Sequence, residues 1–165
     1  MFKSGDIVLI DTNVIIEAHR AVCWKPLSHH FQLHTVSKVI EETQTGFQNR
    51  NPEQLIEINE LKSSFAHIES VETSRVIAFD LEVGEVGLDE GEKALIIYAQ
   101  SLKQPVWYLN SPDLAAVRYM SQQGWQDRLV SLESMLKHLK HRSKNPLKNN
   151  YTEAWLSQAR LKNLL

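Results

Sequence analysis

Apolar positions recur at two different spacings along this chain. Ile7-Val8-Leu9-Ile10 is a continuous apolar run of strand length, the pattern of a strand buried on both faces. Residues 13–21 then read as a helix, and residues 31–35 as a second strand. Ser37 is placed to cap a helix carrying Val39, Ile40, Glu41 and Glu42, with Gly46 ending it. Asn51-Pro52 suits the restart of a helix, since proline is favoured at the first helical position, and Leu55, Ile58 and Leu61 give it a stripe. Residues 68–71 are too short to assign. Ser74 reads as the cap of a helix through Asp80, which Gly84 and Gly87 break. Asp89 reads as the cap of a helix over Glu90–Ser101, whose Ala94, Leu95, Ile97, Tyr98 and Leu102 make a broad apolar face. Residues 106–109 predict another strand, 113–122 a helix, Leu129-Val130 an edge strand and 132–139 a further helix. Lys144-Asn145-Pro146 reads as a linker, and residues 152–161 as an appended helix capped by Thr152. Short apolar strands alternating with helices predict an α/β fold, three layers α/β/α around a mostly parallel central sheet.

Composition narrows the class without changing that outline. The chain has 165 residues, 42% hydrophobic and 23% charged, which suits one globular unit able to fold unaided. No apolar stretch is long enough to suggest a membrane span, and no secretory apolar region follows Met1. The single cysteine, Cys23, has no partner for a disulfide or a thiolate metal site, so a reducing cytoplasm is the expected compartment. Net charge is formally −2, but it is unevenly spread. Residues 137–165 hold seven of the 18 Lys and Arg and only one acid, Glu153, which leaves eleven bases against nineteen acids on the rest. This asymmetry fits either a solvated basic helix or a surface that meets phosphates. The expected division is a domain over residues 1–143 and a basic linker with a helical extension over 144–165. The apolar positions Ala154, Trp155, Leu156, Ala159 and Leu161 imply that the extension docks on the body or on a second protomer, with its charge near the acidic residues.

The candidate chemistry lies in four acids. Asp11 follows the first strand directly and Asp113 follows the strand at 106–109 closely. In open α/β sheets, ligands bind beyond the carboxyl ends of the strands, so both carboxylates are expected on one rim. Glu42 and Glu92 lie early on helices able to face that rim. Each has a plainer reading: Asp11 and Asp113 as helix caps, Glu42 as a solvated residue, Glu92 as a complement to the helix dipole. Glu41 competes with Glu42 for the inward position, and Val39 three residues earlier favours Glu42. Four carboxylates gathered together repel unless a cation joins them, and a hard divalent ion with oxygen ligands is the natural occupant.

Four motifs carry a family resemblance over nearly the whole chain to about residue 140. They are Ile7-Val8-Leu9-Ile10-Asp11-Thr12-Asn13-Val14-Ile15-Ile16, Val36-Ser37-Lys38-Val39-Ile40-Glu41-Glu42-Thr43, Leu88-Asp89-Glu90-Gly91-Glu92-Lys93-Ala94 and Leu109-Asn110-Ser111-Pro112-Asp113. In these the chain resembles the PIN-domain family, departing from it at Pro112 and in having Glu92 where many members have Asp. The resemblance implies a metal-dependent endoribonuclease, with Asp11, Glu42, Glu92 and Asp113 holding Mg²⁺ or Mn²⁺. It further implies that Thr12, Asn13 and Ser111 orient water or phosphate. Implied partners are an RNA substrate and, for a toxin-like member, an antitoxin protein or a second copy of the chain. A catalytically inactive RNA-binding or protein-interaction module on the same fold is the alternative.

Other readings fall away. Haloacid-dehalogenase-type phosphohydrolases need a second Asp two residues after the first, where this chain has Asn13. No glycine-rich phosphate loop follows a strand. His29-His30 and His138-x-x-His141 lack companions at zinc spacing and are expected as solvated side chains. Trp24, Trp107, Trp125 and Trp155 are scattered and are expected mostly in the core or at an interface.

Overall fold

Ile7–Ile10 forms β1, and all four of its side chains are buried, as a strand covered on both faces requires. The computed structural model describes residues 2–45, 50, 52 and 55–163, so the stop expected at Gly46 and the start expected at Asn51 lie outside the described residues. The chain continues through α1 (Thr12–Arg20), α2 (Trp24–His30), β2 (Gln32–Val36), α3 (Ser37–Thr43), α4 (Ile58–Ser64) and β3 (His67–Glu69). It then forms α5 (Thr73–Val83), α6 (Glu90–Ser101), β4 (Trp107–Asn110), α7 (Leu114–Gln122), α8 (Leu132–His138) and α9 (Glu153–Lys162). The four strands are all parallel, in the order β3-β2-β1-β4, and helices flank the sheet in a three-layer α/β/α arrangement.

Strand order positions everything that follows. The chain winds outward from β1 to β2 to β3, then returns to lay β4 against the other side of β1, where Ile10 pairs with Asn110. The winding direction therefore reverses between β1 and β4, the place where parallel sheets of this kind generally bind ligands, beyond the carboxyl ends of the strands. Asp11 and Asp113 leave the sheet on either side of that reversal.

Several local expectations are corrected. The helix α2 was not foreseen, because Cys23 makes no side-chain cap and Pro26 interrupts the apolar pattern. Ser37 does not cap α3. Val36 occupies that position, and the Ser37 hydroxyl instead meets the Glu69 carbonyl and Ser70 at the edge strand. The helix expected from Pro52 begins only at Ile58, where the Glu57 carboxylate accepts from the Asn59 and Glu60 N–H groups. Ser74 lies inside α5, which ends at Gly84 with a φ of 74° that only glycine adopts freely. Leu129 makes a single bridge to Leu109 and no strand. The histidine pairs are only partly solvated: the rings of His30 and His138 pack against each other, and both also contact Phe31. Trp24 and Trp107 are core residues, and Trp125 and Trp155 are half-buried against the core.

Residues 144–163 belong to the body. Tyr151, Leu156 and Ala159 are buried in the main core cluster, and α9 packs on α7 and α8. The preceding segment is fastened to the end of α1: Lys144 N–H donates to the Ala21 carbonyl, the Asn145 amide to Arg20, and Lys148 N–H to the Glu17 carboxylate. No helix among the described residues is long and apolar enough to cross a membrane.

Candidate active site

The rim beyond β1 and β4 gathers acids from four elements. Asp11 is the N-cap of α1: its Oδ1 accepts from Thr12 N–H at 2.7 Å and its Oδ2 from the Ser111 hydroxyl at 3.4 Å. It is only 2% exposed. Asp113 caps α7, accepting from Ala115 N–H at 2.7 Å, and its own N–H donates to Ser111 at 3.4 Å. Ser111 is buried and links the two aspartates. Glu92 is 4% exposed, at the third position of α6. There it forms a capping box with Asp89: Glu92 N–H donates to Asp89 Oδ1 at 2.8 Å, and Asp89 N–H donates to Glu92 Oε2 at 3.1 Å.

Glu42 reaches the same region from α3. Its Oε2 accepts from the Thr12 hydroxyl at 2.7 Å, and the nearby Gly91 N–H also favours the ionised carboxylate. Glu41, one residue earlier and about 100° around the helix, is exposed and pairs with Lys38 at the surface. The inward residue is therefore Glu42. Thr12 serves as a holder of Glu42 in this arrangement, while Asn13 is exposed on the first turn of α1.

The electrostatics show how uncompensated the rim is. Burial pushes the Asp11 carboxyl up to about 7, with the charges of Asp89, Glu42 and Asp113 adding to it and the Thr12 N–H opposing. Burial likewise pushes Glu92 to about 8, with Asp11, Asp89 and Asp113 adding and the Asp89 N–H opposing. Glu42 is also raised by burial and by Asp89, against the stabilising Thr12 hydroxyl and the charge of Lys38. No lysine or arginine is among the groups that act most on Asp11 or Glu92. Asp89 is thus a fifth acid of the cluster. In the sequence it reads only as a helix cap, and its place between Leu88 and Gly91-Glu92 in an acid-bearing motif was the signal.

Every donor the rim offers is oxygen, which suits a hard divalent cation and disfavours zinc in a thiolate or imidazole site. Among the described residues, no three His, Cys, Asp or Glu side chains stand in a ready-made ligand arrangement. Each carboxylate turns one or both oxygens to a nearby hydroxyl or backbone N–H. A carboxylate oxygen has two lone pairs, so these bonds leave capacity for a cation.

The bases at and just after the end of α8 lie elsewhere. From Ser131 the helix α8 returns toward the amino ends of the strands, where the His138 ring meets Phe2 and Phe31. Lys144 follows at the far end of α1. Lys137 pairs with Glu133 and Glu153, and Arg160 donates to the Leu129 carbonyl. For Lys140, Arg142 and Lys144 the expectation of charge at the acidic rim is corrected, because the direction of α8 carries them to the opposite pole; the chain then returns along α1, where Tyr151 feels the charges of Glu17 and Asp11.

Comparisons of the chain with protein-family models, with curated proteins and with solved structures find no match.

Proposed function

We propose that the chain is a divalent-metal-dependent endoribonuclease of the PIN-domain kind. The observation that carries this reading is the pair of buried, uncompensated carboxylates, Asp11 and Glu92, at the reversal point of a parallel sheet. Burying like charges together is unfavourable for stability alone, and acids perturbed in this way are often the mark of a working site. The four motifs that resemble the PIN family contribute these same acids.

On this reading Asp11 and Asp113, at the ends of adjacent strands, hold Mg²⁺ or Mn²⁺, and Glu42 and Glu92 hold a second ion or its waters. The ion, when bound, supplies Lewis-acid polarisation of a phosphoryl oxygen and acidifies water. Ser111 keeps Asp11 and Asp113 in register by bonding to both. Thr12 fixes Glu42, and the capping box fixes Glu92, so that ligands from different elements are ordered before substrate arrives. RNA is the proposed substrate. An antitoxin protein or a second protomer is the proposed protein partner of a toxin-like member. The buried lone Cys23 suits a reducing cytoplasm.

The test is incubation of the purified protein with a mixed-sequence RNA. Cleavage with Mn²⁺ that is lost with EDTA and in Asp11→Asn is the expected result. RNA binding without cleavage under any divalent ion would replace this reading with that of a non-catalytic module.

A further inference from the structure

Gly91 sits in the first turn of α6, is buried, and has no left-handed backbone angle to explain it. Glycine is the least favourable residue in a helix after proline, so alanine would serve the helix better at that position. What the position lacks room for is a side chain. A Cβ there would lie 2.6 Å from Glu42 Oε2 and 3.1 Å from both Cδ and Oε1. Real Cβ contacts are essentially never shorter than 3.0 Å. The obstructed group is the far end of a flexible glutamate, so the carboxylate would move and the helix would not.

We propose that Gly91 is a positioning residue for Glu42, and this rests on the reading of the rim as a cation site. Glu42 extends from a short helix on three rotatable bonds, and a freely moving glutamate would lose considerable side-chain entropy on binding an ion. Two groups remove that freedom beforehand. The Thr12 hydroxyl bonds its Oε2, and the bare backbone of Gly91 lets the carboxylate close onto the N–H of the α6 first turn. That N–H is one of the donors a helix start leaves unused, and the positive end of the helix dipole favours a carboxylate there. Glycine at this position therefore sacrifices helix stability to bring Glu42 against the turn that also carries Asp89 and Glu92.

A purely structural role and a positioning role predict opposite signs. Gly91→Ala should melt at the same Tm or higher without metal, while its Mn²⁺ affinity by calorimetry falls about tenfold to a hundredfold, the usual loss when a ligand's supporting partner is removed. Glu42→Asp, shorter by one methylene, should lower affinity in the wild-type background. Added to Gly91→Ala it should lower affinity little further or restore part of it, because the shorter side chain avoids the new methyl. Equal Mn²⁺ affinity for wild type and Gly91→Ala would overturn the proposal while leaving the cation site standing. A fall in Tm with unchanged affinity, or fully additive losses in the double variant, would also overturn it. No Mn²⁺ binding by the wild type would sink the cation reading and this proposal together.

Discussion

Helix α1 has a buried acid at each end, and the two are treated in opposite ways. Glu17, near the last turn, is 2% exposed, yet its carboxyl is held below its usual value. Burial alone would raise it, but two hydrogen bonds from Arg20, at 2.9 and 2.5 Å, and one from Lys148 N–H at 3.0 Å outweigh that. Asp11, at the other end and equally buried, has four acids around it and is pushed to about 7. The same helix thus shows what a buried carboxylate looks like when the fold completes it and when the fold leaves it incomplete. Glu17 ties the C-terminal segment to the body. Asp11 is the end that the proposed cation would complete.

Substitution should separate the two ends sharply. Asp11→Asn should lower RNA cleavage about a hundredfold or more, on the scale of losing a metal contact. Asparagine caps a helix as well as aspartate does, so α1 should survive. Without metal the variant should be more stable than wild type at pH 8, on the order of 2 kcal/mol, because each pKa unit of displacement corresponds to about 1.4 kcal/mol. Glu17→Ala should do the reverse, destabilising the fold by about 2 kcal/mol, below the full range for a broken buried pair because Arg20 is partly exposed. Urea unfolding of both variants at pH 8 measures this, and a loss of stability in Asp11→Asn would break the contrast.

The pH dependence of wild-type stability carries the same contrast. Asp11 and Glu92 titrate higher folded than unfolded, so between about pH 4 and 8 the native state holds more protons than the unfolded chain. Metal-free stability should therefore fall as pH rises through that window. The Glu17 carboxyl is depressed, so its contribution is complete above its ordinary value and is lost as pH falls through its folded value. The expected profile has its maximum on the acid side of neutrality. Urea midpoints between pH 4 and 9 measure it, and a flat profile from pH 5 to 8 would mean the rim is better solvated than its burial implies. The smallest effect is reserved for Glu41→Gln, which should change stability by less than about 0.5 kcal/mol and leave cleavage intact. Glu42→Gln should reduce cleavage, and equal activity of the two variants would remove Glu42 from the site.

How much of this was legible in the sequence follows from which interactions are local. Strand β1 is a four-residue apolar run bounded by polar residues, and α6 has its cap and its Glu at the right spacing, so both were readable to the residue. The inward position of Glu42 followed from Val39 one turn earlier. The Asp89 contribution was hidden because one side chain caps a helix and charges the rim at once. Gly91 offered no signal, since its reason lies in a contact with α3. The placement of the basic C-terminal segment depends on the direction of α8 and on hydrogen bonds to α1 well over a hundred residues earlier, which no local pattern encodes.

The central claim is that the acidic rim is completed by a divalent cation, and thermal unfolding with and without Mn²⁺ at two pH values tests it most directly. A ligand that binds only the folded state raises Tm, and one that binds ionised carboxylates does so more strongly once they have lost their protons. At pH 8, millimolar Mn²⁺ should raise the wild-type Tm by several degrees. At pH 5, where Asp11 and Glu92 hold their protons, the rise should be nearly absent, and Asp11→Asn should show little at either pH. A wild-type Tm that Mn²⁺ leaves unmoved at pH 8, or moves equally at pH 5 and in Asp11→Asn, would contradict the account.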